Sequence, residues 1–75
     1  MVLSGLFKVE EVLKTTSAVW FKQLKEGDVF ELRYNLNGRY KGAPSIDIFQ
    51  DGKKVHSNNA SQLKDNLEKF KVTTL

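Results

Sequence analysis

Asp51-Gly52 stands between two runs of β-type residues, Ser45-Ile46-Asp47-Ile48-Phe49-Gln50 before it and Lys53-Lys54-Val55-His56-Ser57 after it. An Asp-Gly pair readily adopts the two positive φ angles of a tight hairpin turn. This pair constrains the chain more than any other feature because it imposes a register. Counting outward from a two-residue loop, Gln50 faces Lys53, Phe49 faces Lys54, Ile48 faces Val55 and Asp47 faces His56. Side chains alternate between the faces of a strand. Ile46, Ile48 and Val55 are therefore expected in the core, with Asp47, Phe49, Lys54 and His56 pointing away from it. Phe49 is then either covered by another element or an exposed aromatic beside basic groups.

The same logic extends along the chain. Asp28-Val29-Phe30-Glu31-Leu32-Arg33-Tyr34-Asn35-Leu36 is the clearest strand, with Phe30, Leu32, Tyr34 and Leu36 on one face and Glu31, Arg33 and Asn35 on the other. Asn37-Gly38 is a second turn signal, and residues 37 to 44 form either a hairpin or a mobile loop. Phe7 and Val9 alternate until Glu10-Glu11 breaks the period before Val12. A first strand with a bulge at residues 10 and 11 explains that slip, in preference to a short helix through Leu6, Val9 and Leu13.

Residues 18 to 25 read as a short helix capped by Ser17, carrying Trp20, Phe21 and Leu24 inward and ending at Gly27. A longer helix is expected at about 60 to 70. Asn59 caps it, Gln62 completes a capping box, and Ala60, Leu63, Leu67 and Phe70 form one apolar stripe. Lys71-Val72-Thr73-Thr74-Leu75 returns to strand character.

These elements predict one mainly β domain over residues 1 to 75, a small five-stranded barrel of SH3-like or OB-like type with two helices. Both topologies remain open, since a helix before the last strand fits neither cleanly. Closure would remove the exposed edges of so small a sheet. With 75 residues and no cysteine, the core has no disulfide to supplement it. Trp20 and Phe21 then act as a plug whose burial contributes several kcal/mol at ~25 cal/mol per Å². The longest uninterrupted apolar run, Ala18 to Phe21, is too short to span a bilayer or serve as a signal-peptide core. No membrane association is expected, and the cytoplasm is the expected location.

Thr15, Thr16, Ser17, Trp20, Phe21, Lys22, Leu24, Lys25, Gly27 and Asp28 make up a T-T-S-x-x-W-F-K-x-L-K-x-G-D segment. This segment resembles one found in small single-domain proteins encoded by bacteriophages. The resemblance covers about a quarter of the chain. It implies a viral accessory protein acting in a bacterial cytoplasm. It assigns no activity, so no functional residue follows from it.

Catalysis has little to stand on. Asp47 and His56 form the one His–carboxylate pair the register yields, without a recognisable nucleophile turn at Ser45 or Ser57. An exposed cross-strand ion pair is the simpler reading. One histidine and no cysteine leave no metal-ligand spacing, so no cofactor and no metal are expected. Gly38, Gly42 and Gly52 are turn residues rather than a phosphate cradle.

Binding is better represented. The net charge is +3, and Arg33, Arg39, Lys41, Lys53 and Lys54 outnumber Asp47 and Asp51 in the window from Arg33 to His56. With Tyr40, Phe49 and His56 they form the candidate contact set. A non-enzymatic binding module is therefore expected. The favoured partner is a host protein, with Tyr40 and Phe49 as anchors. The alternative is single-stranded or structured nucleic acid, with cations on phosphates and the two rings stacking on bases. A homodimer through an exposed strand edge is a third possibility.

Overall fold

A computed structural model of the protein describes residues 4–35 and 44–75. It shows five antiparallel strands in one sheet, with one α-helix. The strands are β1 (Gly5–Val12), β2 (Val29–Asn35), β3 (Ser45–Gln50), β4 (Lys53–Asn59) and β5 (Phe70–Thr74), and the helix α1 (Ala60–Leu67) connects β4 to β5. The sheet order is β4-β3-β2-β1-β5. The two outer strands are thus the ones α1 joins, and α1 packs against β3, β4 and β5.

One face of the sheet carries the core: Phe7 and Val9 from β1, Phe30 and Leu32 from β2, Ile46 and Ile48 from β3, and Phe70 from β5. Trp20, Phe21 and Leu24 close it, together with Leu63 of α1. The Trp20 ring meets Phe21 edge-on at 5.0 Å and Phe30 edge-on at 5.8 Å, arrangements that the aromatic quadrupole favours. The plug reading of this segment holds. Tyr34, expected on the core face, is instead exposed.

The segment is tighter than a helix over 18 to 25. It makes one 3-10 turn at Phe21–Gln23, with Gln23 N–H bonded to Trp20 O and Leu24 N–H to Phe21 O. Trp20 precedes the turn at φ 70° and ψ −50°, a rare conformation near that of a γ-turn and incompatible with helix. Leu24 is already extended. The turn has no side-chain cap, from Ser17 or any other residue, and upstream of it Thr16 Oγ1 accepts from Ala18 N–H at 3.1 Å. Burial of two adjacent rings outweighs helix propensity here.

The expected bulge in β1 is present. Pairing with β5 slips between Val9 and Glu11, and fully buried Val9 exchanges backbone bonds with Gly27 and Asp28 at 2.8 Å each. Gly27, at φ 94°, makes that turn. Asn59 caps α1 through Oδ1 on Gln62 N–H at 2.8 Å. The helix ends at Leu67 and not at 70, because Phe70 pairs with Val12 as the first residue of β5.

Asp51 and Gly52 take φ 54° and 78°, the expected hairpin turn. Gln50 faces Lys53 and Phe49 faces Lys54, but the register then shifts. Ile48 faces His56 and Asp47 faces Ser57, so the expected Ile48–Val55 and Asp47–His56 pairs do not form. Val55 is the extra, bulged residue, exposed rather than in the core. His56 turns to the core side, its ring edge-on to Phe21 at 6.0 Å. The shift gives the nearly enclosed Asp47 carboxylate a hydroxyl donor, because Ser57 now lies opposite it.

Candidate functional site: the outer face of β2, β3 and β4

Strand alternation places Glu31, Arg33 and Asn35 of β2 on the face opposite the core. The ladder sets them against Phe49, Asp47 and Ser45 of β3, and β4 adds Lys54, Ser57 and Asn59 across from those. Leu6 of β1 extends the Glu31–Phe49–Lys54 row on the other side. A single aromatic ring therefore sits in a field of alternating charge.

The charges on this face are satisfied within it. Arg33 donates twice to Glu31, from Nε to Oε2 and from Nη2 to Oε1, each at 3.1 Å. The same guanidinium lies over the Phe49 ring, 4.0 Å from its centroid, a cation–π contact. The hydrogen bond to Glu31 raises the Arg33 pKa above its ordinary value, with the Glu31 charge adding to the effect and desolvation opposing it. Arg33 is thus a permanent cation in a two-pronged grip.

Lys54 Nζ lies 3.4 Å from Asp47 Oδ1. Asp47 is only 7% exposed. Its Oδ1 also accepts from Ser57 Oγ at 3.1 Å, and its Oδ2 accepts from Asn35 Nδ2 at 3.3 Å. One carboxylate therefore ties three strands together. Among the described residues, the two cations nearest Phe49, Arg33 and Lys54, are each matched by a carboxylate, Glu31 and Asp47.

Of the eight residues expected to form a contact set, the structure brings Arg33, Phe49 and Lys54 together, whereas Lys53, the first residue of β4, pairs with Gln50 and alternates to the other side of the strand. His56 is on the other side of the sheet. It lines a cleft of about 310 Å³ with Ala18, Val19, Asn58, Gln62 and Asn66. Arg39, Tyr40 and Lys41 lie outside the described residues, as does the Asn37-Gly38 turn. Asp47, counted in the charge window, is paired with Lys54, and Glu31, just outside that window, is paired with Arg33.

The chain matches no family model, no curated protein and no solved structure.

Among the described residues, no helix is long and apolar enough to cross a membrane. Nor do three or more His, Asp or Glu side chains gather there into a metal-binding group. A second concavity, of about 290 Å³, lies at Val12, Lys14, Thr15, Thr16, Phe21, Lys22, Leu24 and Phe70. Five of these residues belong to the Thr15–Asp28 segment. The plug reading accounts for the inward side of that segment only. The signal that points to its outer side is the run of lysines at 14, 22 and 25, outside the window with excess positive charge.

Proposed function

We propose that this protein is a non-enzymatic binding module that docks another protein on the outer face of β2, β3 and β4. One observation carries the reading, the neutral quartet of Arg33, Glu31, Lys54 and Asp47 around Phe49. Nucleic acid is held by cations that release counterions from phosphates, and two carboxylates set between the cations oppose that. Stacking on a base needs an open ring face, and Arg33 already covers one face of Phe49. A protein interface uses such features directly. An aromatic residue and an arginine are frequent energetic anchors, ringed by charges that select a complementary surface. Exposed Leu6 and Val29 enlarge the apolar part of the patch.

The scaffold in this proposal is a small SH3-like barrel. The uninterrupted order of β1 to β4, with β5 returning beside β1, supports it over the OB-like alternative. The resemblance of the Thr15–Asp28 segment supports a bacteriophage accessory protein, with a bacterial host protein as target in the cytoplasm. Affinity capture from a bacterial lysate, with and without nuclease, tests the proposal. The expected result is a protein retained after nuclease treatment and lost with Phe49→Ala or Arg33→Glu. Capture that disappears with nuclease would replace this reading by the nucleic-acid alternative.

A further inference from the structure

The lysines of the Thr15–Leu24 region are in a different situation from those of the outer face. Among the described residues the ion pairs are Arg33–Glu31 and Lys54–Asp47, and neither involves Lys14, Lys22 or Lys69. Lys14 and Lys22 line the 290 Å³ groove, and none of its lining residues is acidic. Lys69 adds a third ammonium beside it, with Nζ 3.3 Å from Thr16 Oγ1. That oxygen also accepts from Ala18 N–H at 3.1 Å. A hydroxyl oxygen has two acceptor lone pairs and one proton, so Thr16 has spent its accepting capacity and its O–H can only donate. The groove's rim therefore offers donors and positive charge. Its floor is apolar, built from Val12, Phe21, Leu24 and Phe70.

The rim is also held in place before any ligand arrives. Leu13 and Lys14 both donate their backbone N–H to Lys69 O, at 2.9 and 3.1 Å, and Lys22 N–H bonds Ala18 O at 3.0 Å. A fixed loop loses little conformational freedom on binding.

We propose that this groove docks an acidic peptide segment in which carboxylates flank an apolar side chain. Carboxylates meet Lys14, Lys22, Lys69 and the Thr16 O–H, and the apolar side chain packs against Val12, the exposed apolar residue of the lining, above the buried Phe21, Leu24 and Phe70. Charge complementarity selects the acidic groups. A peptide is favoured over a nucleic acid because the floor rings, Phe21 at 0% and Phe70 at 5% exposure, leave no open face for a base. The site shares no residue with the outer face of β2, β3 and β4, so either can fail without the other.

The test is a titration of the ¹⁵N-labelled full chain with the acetylated, amidated peptide Glu-Glu-Leu-Phe-Glu at low ionic strength, followed by ¹H–¹⁵N correlation spectra. Saturable shifts are expected at the backbone of residues 13 to 24 and at 69 and 70. The combined variant Lys14→Glu and Lys22→Glu should bind about tenfold more weakly or worse, with amide dispersion unchanged, while Arg33→Glu binds as the wild type. If charge reversal disturbs the spectrum, Lys14→Gln with Lys22→Gln gives the same comparison. Absence of saturable shifts, or equal affinity for the Gln-Gln-Leu-Phe-Gln peptide, overturns the proposal. So does tighter binding of oligothymidylate or phosphatidylserine vesicles at the same residues.

Discussion

Replacing Asp47 by alanine should be among the most damaging single changes outside the hydrophobic core. Its side chain is about 10% exposed, and it accepts from Ser57 and Asn35 while lying beside Lys54. Lys54, 53% exposed, contributes under ~1 kcal/mol. The larger loss is the buried Ser57 hydroxyl, left without its acceptor at a cost of ~1–3 kcal/mol. The Asn35 bond adds a smaller part, and removal of the carboxylate's own desolvation cost offsets some of the total. The net expectation is a destabilisation of about 2–3 kcal/mol. Against the ~4–11 kcal/mol typical of a domain this size, that lowers Tm by roughly 10–20 °C. Urea unfolding followed by the fluorescence of Trp20 measures it directly, since the chain has one tryptophan and it is buried. Lys54→Ala in the same assay should cost under ~1 kcal/mol. If Asp47→Ala and Lys54→Ala cost the same small amount, the carboxylate is not the tie between strands described above.

Other substitutions probe the backbone. Trp20→Ala should cost about 3–5 kcal/mol by thermal unfolding, and Trp20→Gly no more than that despite glycine's entropy, because its φ of 70° suits glycine. Gly27→Ala should cost about 1–2 kcal/mol in a urea melt from the φ of 94° alone, since open space surrounds the added Cβ. Val55→Ser should lie within about 0.5 kcal/mol of wild type, whereas Ile48→Ala should cost ~2–5 kcal/mol. Ser45→Ala should be neutral or stabilising by up to ~1 kcal/mol in the same measurement, because Ser45 Oγ is buried with no partner among the described residues.

Local chemistry accounts for what could be read before the structure. Asp51-Gly52, the Glu10-Glu11 slip and the Asn59 cap each act over a few residues, and each was legible from residue type and spacing. The Val55 bulge was not. A turn propagates its register only until packing opposes it, and here the alternative that gives Asp47 a donor in Ser57 wins. The conformation of Trp20 was also hidden, because helix propensity over residues 18 to 25 does not register that two neighbouring rings must enter one core. Of the site, the meeting of Arg33, Phe49 and Lys54 followed from strand alternation. The Arg33–Glu31 pair lies along one strand at i and i+2 and was open to the same alternation, whereas the Lys54–Asp47 pair needed a diagonal distance across the sheet, which sequence spacing does not supply.

The most direct test of the claim that this face suits a protein is the binding of a random-sequence single-stranded oligonucleotide, measured by fluorescence anisotropy over a series of salt concentrations. A face on which Arg33 and Lys54 are already paired with carboxylates engages few phosphates, so weak binding with a shallow salt slope is predicted, unchanged by Arg33→Glu or Phe49→Ala. Tight binding that falls steeply with salt and is lost in both variants would contradict the account.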